Sequence, residues 1–194
     1  MRKTFVFGLA FLLLLVGCNT PKLEDDQTNL ILNKDQSVLY TIVDAFDEDY
    51  YKLDELEQMA NDEIQEYNKT ADGAEASLMS LTQEEEKVVM KLQFADASAF
   101  TGMIQLPLFV GTIDQALEEG YSLNVTLHNA AGDKTVSEEE IKAMGKRHIA
   151  ILQDNVLVQC FGKILYISEG ASIQEKMPTV AKVTDEKVNY IIFK

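Results

Sequence analysis

Cysteine, histidine and basic residues are all scarce in this chain of 194 residues. If Cys18 is modified, as its sequence context indicates below, one cysteine and two histidines are left, too few for a four-ligand Cys/His zinc cluster. The 17 Lys and Arg residues are outnumbered by 32 Asp and Glu, and the net charge of −15 argues against nucleic acid, which selects clustered Lys and Arg. The same acidity opposes contact with anionic lipid and favours a soluble, exposed globule.

The chain also lacks a hydrophobic run long enough to span a membrane. Its first apolar stretch, residues 5–17, has 13 residues and follows Arg2 and Lys3. A helix of that length reaches about 20 Å, whereas a bilayer core needs roughly 20 apolar residues. A short basic start followed by such a run is typical of a cleavable secretory signal.

The end of the apolar run indicates which kind of signal this is. Leu15-Val16-Gly17-Cys18 resembles the lipobox of bacterial lipoproteins, in which a small residue precedes a cysteine. The resemblance implies that diacylglycerol is joined to Cys18 through a thioether and that the chain is cleaved between Gly17 and Cys18. Because two acyl chains anchor a protein stably, we expect the mature chain on the extracytoplasmic face of the cell membrane. The short signal favours a Gram-positive-type cell surface.

Cleavage at this position defines the expected domain organisation. Removal of residues 1–17 from 194 leaves 177, the size of one ordinary domain, and the loss of Arg2 and Lys3 changes the net charge from −15 to −17. With Cys18 bound to lipid, Cys160 has no partner for an intrachain disulfide. Residues 18–28 are predicted to be the lipidated cysteine and a polar tether, and residues 29–194 a globular domain.

Hydrophobic periodicity predicts a single α+β domain with a mostly antiparallel sheet. One longer amphipathic helix is expected over about 50–68, where apolar residues recur every three or four positions. Strands and tight turns fill most of the remaining chain, and the first four predicted strands are expected to pair as two hairpins, one across residues 33–36 and one across residues 82–86. The predicted strands are residues 30–32, 38–43, 77–81, 87–94, 123–127, 148–152, 156–160, 163–168, 180–183 and 188–193, with turns at 153–155, 161–162 and 185–186.

Two capping boxes, one beginning at Thr112 and one at Ser137, predict two short helices at about 113–119 and 138–144. In each, a glycine lies eight residues after the cap, Gly120 and Gly145, where a residue in the left-handed conformation can end the helix. A shorter turn capped by Asp96 is expected just before the first of these helices.

An acidic cluster before the long helix is a weak candidate for a calcium site. Asp44, Asp47 and Asp49 would supply carboxylate ligands. Counted from Asp47, however, an EF-hand needs Gly at position 6 and Glu at position 12, and Lys52 and Gln58 occupy these positions. Capping and solvation of the helix N-terminus is the favoured interpretation. We expect no resident metal and no cofactor.

The remaining candidates for chemistry are one thiol and two imidazoles. Cys160 with His128 or His148 could act as nucleophile and base. However, Cys160 lies in a predicted strand, where cysteine is usually a small buried hydrophobe. The sequence contains no G-x-S-x-G, H-E-x-x-H or P-loop motif, so no catalytic residue is assigned. Tyr50 and Tyr51 are neighbours that could stack on sugars if they are exposed, although packing is the default.

These observations favour a binding or accessory module of the cell envelope, with a protein or carbohydrate partner. Two alternatives stay open: a cell-envelope hydrolase without a recognised motif and, less favoured, a small solute-binding component of a transporter. An exposed apolar or aromatic patch would favour the binding module, and a pocket with convergent carboxylates or histidine would favour the hydrolase. The stretch from Leu108 to Tyr121 resembles segments of uncharacterised Gram-positive surface lipoproteins, a resemblance that implies no activity.

Replacement of Cys18 by alanine tests the lipid anchor. We expect the Cys18→Ala chain to take up no fatty acid and to retain Met1, because the acceptor thiol and the cleavage site are both lost. Metabolic labelling with an alkyne fatty acid and intact-mass analysis measure the two effects. Cys160→Ala is the matched control and should be labelled and cleaved normally. An unlabelled native chain would refute the anchor.

Overall fold

The computed structural model describes residue 23 and residues 26–71, 75–184 and 186–194, so Gly17 and Cys18 lie outside the described residues. These ranges contain four helices and 13 strands. The helices are α1 (Leu53–Thr70), α2 (Ala97–Ile104), α3 (Ile113–Glu118) and α4 (Glu138–Lys142). The strands are β1 (Asn29–Leu32), β2 (Val38–Ala45), β3 (Ala76–Glu84), β4 (Lys87–Phe94), β5 (Leu108–Thr112), β6 (Leu127–Asn129), β7 (Thr135–Val136), β8 (His148–Leu152), β9 (Leu157–Gln159), β10 (Ile164–Ile167), β11 (Ala171–Ile173), β12 (Val180–Val183) and β13 (Asn189–Phe193).

The strands form two sheets. Sheet A has seven strands in the order β11-β12-β9-β1-β2-β4-β3, and sheet B has six in the order β5-β8-β13-β10-β6-β7. The strand pairs are antiparallel except β1 and β9, which run parallel. The predicted α+β class with mostly antiparallel pairing is confirmed. The two predicted N-terminal hairpins, β1–β2 and β3–β4, are also present.

The largest buried cluster joins one face of sheet A to sheet B and to the first two helices. Opposite residues on β2 and β4, such as Val38 with Phe94 and Tyr40 with Leu92, point to the same face of sheet A. They share the cluster with Phe193 of β13 and with residues of α1 and α2. The inner face of sheet A is therefore covered by two different kinds of partner, a second sheet and a pair of helices.

The short helices cover the other face of sheet B. Ile113 of α3 and Ile141 of α4 are fully buried in a second cluster with Ile149, Ile151 and Ile192 of the sheet. Both predicted capping boxes are present, with reciprocal bonds between the cap side chain and the residue three positions later. The two short helices are thus confirmed, slightly shorter than predicted.

The two glycines after these helices have different roles. Gly120 has φ +85°, the left-handed conformation expected of a helix-ending glycine. Gly145 is absent from the positive-φ positions, so the prediction that it ends α4 in the same way is wrong. Asp114 of α3 approaches this position closely, because a Cβ at Gly145 would lie 2.1 Å from Asp114 Oδ1. Position 145 therefore has no room for a side chain.

The three turns predicted after β8 do not close hairpins. Residues 153–155, 161–162 and 185–186 instead connect strands of sheet A to strands of sheet B. The prediction of hairpins there is wrong, because short polar turns also serve as corners between packed sheets. At the last corner Asn189, fully buried, donates to the carbonyls of Thr184 (2.6 Å) and Lys187 (2.9 Å) and accepts from Ser168 Oγ (3.3 Å).

Three further stretches of the chain differ from their predicted structure. The strand predicted at 123–127 is absent, because Leu123 and Leu127 fill the core beneath α3 and α4 while strand β6 begins only at Leu127. Helix α1 begins at Leu53, which leaves Tyr50 and Tyr51 outside it. Leu23, placed in the polar tether by sequence, is buried on the outer face of sheet A with Leu157 and Val180. The packed part of the chain thus begins before residue 29.

No helix in the described ranges is both long and apolar enough to cross a bilayer.

Asn189→Ala tests the corner between the two sheets. The substitution removes the donors to two carbonyls, and a buried group left unsatisfied costs about 1–3 kcal/mol. We expect the free energy of unfolding to fall by about 2–3 kcal/mol, measured by urea denaturation. Asn61→Ala, at an exposed position of α1, is the control and should change it by no more than about 0.5 kcal/mol. Equal effects of the two substitutions would contradict this account.

Candidate functional site

An apolar trough lies along one side of α1, above strands β2 and β4. Two adjacent cavities of about 450 Å³ and 250 Å³ share Ile42, Leu56, Met59 and Met90 and so form one continuous depression. We call this depression the α1 trough. Its apolar lining consists of Ile42, Phe46, Tyr50, Tyr51, Leu56, Met59, Ala60, Val88, Met90 and Leu92, with Met103 and Ile104 of α2 at the far end.

The sheet supplies the floor of the trough by simple alternation. Ile42 lies opposite Met90, and the residues two positions away on each strand, Tyr40 and Leu92, are opposite each other in the same face. Nearer the centre of the domain these positions are buried, with Tyr40 and Leu92 8% and 4% exposed. In the middle of the trough Ile42 and Met90 are only partly buried, whereas Val88, nearer the β2–α1 loop, is 6% exposed.

Helix α1 supplies the wall. Leu56, Met59, Ala60 and Glu63 follow one another at spacings of one, three and four, so they lie on one flank of the helix. Ala60 is buried, but Met59 is 60% exposed. The apolar stripe predicted for α1 consists of Leu53, Leu56, Ala60, Ile64 and Tyr67 and does not include Met59. Its position three residues after Leu56 was the sequence signal that the apolar face is wider than packing on the sheet requires.

Three aromatic rings close the end of the trough nearest the β2–α1 loop. Phe46 is fixed by the hydrogen bond from its backbone N–H to the Glu86 carbonyl, 2.6 Å. Its ring lies 5.1 Å from that of Tyr51, which in turn lies 4.9 Å from Tyr50 in an edge-to-face arrangement. Tyr50 is 70% exposed. A hydrogen bond with Tyr50 is the main cause that raises the pKa of Tyr51, and the Tyr50 charge, burial and the nearby carboxylates act in the same direction.

The rim of the trough is acidic. Asp44, Glu55 and Glu63 line it, and the neighbouring loop adds Asp47, Glu48 and Asp49. Among the described lining residues Lys52 is the one cation, and its ammonium is bound to Glu55 at 2.5 Å. That contact raises the pKa of Lys52. The lining thus combines an apolar surface with a net negative edge.

The geometry lends the calcium candidate no support. Asp44 Oδ1 accepts the backbone N–H of Ala45 at 2.8 Å, and the side chains of Asp44, Asp47 and Asp49 are all exposed. The described residues contain no group of three or more His, Cys, Asp or Glu placed to hold a metal ion. The capping interpretation is also incorrect for these three residues, because the N-cap of α1 is Lys52, which makes no side-chain capping bond.

A polar cleft of about 530 Å³ adjoins the trough on the side where β1 begins. It contains four carboxylates, those of Asp26, Asp44, Asp47 and Glu86, and its cations include Lys182. All four carboxylate side chains are exposed. A catalytic acid or base of a hydrolase is usually partly buried among close neighbours, an arrangement that these exposed carboxylates do not share.

The structure does not place Cys160 where a substrate could reach it. Its side chain is 1% exposed in the main core, and burial raises the pKa of the thiol well above its ordinary value. His148 packs between aromatic rings, 4.8 Å from Phe161 and 5.6 Å from Phe193, and burial lowers the pKa of its imidazole. His128 lies on β6, paired with Thr135 and Ile167. Cys160 is therefore a core residue, and His148 is a partly buried ring that packs against two aromatic neighbours.

Comparison with known proteins gives no family assignment: no protein-family profile, no curated protein and no solved structure matches the chain. Function therefore has to be argued from the described residues. Among them, the α1 trough combines exposed apolar area, concave shape and contrasting charge at its edge.

Thiol accessibility tests the assignment of Cys160 to the core. In the chain from Asn19 to Lys194, where Cys160 is the one cysteine, we expect the folded state to react with iodoacetamide at pH 8 at least about a hundredfold more slowly than the urea-unfolded state, because the thiolate is the reactive form and burial opposes both access and ionisation. Intact mass follows the modification. Rapid reaction of the folded chain would reopen the nucleophile hypothesis.

Proposed function

We propose that this protein is a lipid-anchored binding module on the extracytoplasmic face of the cell membrane, with the α1 trough as its binding site. The observation that carries the proposal is the exposure of large apolar side chains inside one concave surface, with Tyr50 at 70%, Met59 at 60% and Tyr51 at 42%. Contiguous exposed apolar surface of this kind marks interaction sites in soluble domains.

The proposed anchor also determines which partners the trough can reach. Leu23, the first described residue, is packed against sheet A, and it lies five positions after Cys18. Five extended residues reach at most about 18 Å. A chain lipidated at Cys18 would therefore hold its domain close to the headgroups. The partner we propose is an envelope component, either a membrane protein or a protein working at the membrane surface.

The methionines provide a matched test of the binding site. Met59 lies in the trough and Met79 on the edge strand β3, and both are 60% exposed. A photo-crosslinking amino acid at each position can be activated in intact cells of the native host. We expect a discrete adduct with another protein from position 59 and none from position 79, detected by blotting and identified by mass spectrometry.

A second substitution makes this crosslink specific to the trough. Tyr50→Ser removes an exposed ring without disturbing the core, so it should weaken the adduct from position 59 while leaving expression unchanged. Adducts of equal yield from positions 59 and 79, or an adduct insensitive to Tyr50→Ser, would count against the proposed site.

A further inference from the structure

We infer that the α1 trough takes a cationic amphipathic helix of a partner protein, an inference that rests on the proposed function. The lining has an apolar floor for an apolar stripe and an acidic edge for basic flanks. An amphipathic helix that lays its apolar face in a hydrophobic groove is a recurrent mode of peptide recognition. The following observations determine the charge and length of this segment.

Charge complementarity determines the sign of the charge that the bound segment carries. Glu55 and Glu63 lie on the α1 wall, Asp44 follows Tyr40 and Ile42 in the floor row of β2, and Lys52 is already bound to Glu55. An acidic segment would bring like charges together at the rim, which costs affinity, whereas Lys or Arg flanks would meet carboxylates. The occupant should therefore be basic where it emerges from the trough.

The dimensions of the wall determine the length of the occupant. Trough residues of the wall run from Lys52, the N-cap of α1, to Glu63, which at 1.5 Å per residue spans about 17 Å. A helix of about three turns fits this length and presents apolar residues at spacings of three and four. Met59, Met90 and Met103 contribute flexible, polarisable side chains along the lining, which suits a groove that adapts to the residues it receives.

Two other occupants fit the charge less well. An anionic bilayer would be repelled by the rim carboxylates and by the acidic loop before α1. A second copy of this chain would place one acidic rim against another. Both remain outcomes that the experiment can detect.

The test uses two model peptides and the chain from Asn19 to Lys194, which contains every described element. The first is a fluorescent 14-residue helix of leucine and lysine in an amphipathic pattern, and the second has glutamate in place of each lysine. Fluorescence anisotropy measures their affinity in 150 mM salt. We expect the lysine peptide to bind at least about tenfold more tightly than the glutamate peptide, because charge at the rim sets the preference.

Matched charge variants separate the trough from the general acidity of the protein. Glu55→Gln with Glu63→Gln removes two rim charges. Asp54→Asn with Glu57→Gln removes two charges from the opposite flank of α1, and neither of these residues lines the trough. We expect the rim pair to weaken binding of the lysine peptide at least about fivefold and the opposite pair less than about twofold. Equal losses would mean diffuse charge attraction and would overturn the inference.

A matched pair of methionine variants tests the apolar contact between the trough and the peptide. Met59→Ser should weaken peptide binding about tenfold, and the equally exposed Met79→Ser should leave it unchanged. Failure of the lysine peptide to bind, or flotation of the chain with vesicles of phosphatidylglycerol, would overturn the inference. So would dimerisation of the chain through position 59. If the crosslink from position 59 to another protein persists in that case, the binding module stands and only the class of occupant is wrong.

Discussion

The structure depends on how the inner face of sheet A is buried. A seven-stranded sheet presents more apolar surface than the six-stranded sheet B covers, and α1 and α2 cover part of the remainder. Helix α1 packs mainly on β3, at the edge of the sheet. The apolar strip above β2 and β4 is therefore buried at Leu92 and at Val88 and partly exposed between them, at Ile42 and Met90.

The open strip has an energetic consequence. Apolar surface left in water forgoes about 25 cal/mol for each Å² that burial would remove. A single longer side chain on α1 could have covered much of the floor, but the wall instead carries Ala60 beside an outward Met59. The exposed carboxylates around the strip keep the surface soluble and select among partners by charge. This combination accounts for an apolar surface that binds some partners and not others. We propose that a bound partner buries the exposed part of the strip.

The elements fixed by local chemistry could be predicted from sequence. Both capping boxes, the amphipathic helix and the two N-terminal hairpins follow from residues within a few positions of one another. The pairing of the later strands could not be predicted, because the turns that suggest hairpins also fit corners, and only the strand order of the two sheets shows that corners form. The trough was missed for a related reason. It combines Met59, Met90 and Phe46 from separate segments, and no local pattern distinguishes an exposed methionine from a buried one.

The chain offers a direct measurement of the central claim, that the trough is the binding surface. Methyl-labelled methionine gives a separate NMR signal for each site, and the described methionines divide evenly. Met59, Met90 and Met103 line the trough, whereas Met79, Met144 and Met177 lie elsewhere. On titration with the crosslinked partner, the account predicts shifts confined to the first three signals. Shifts confined to the other three would contradict it.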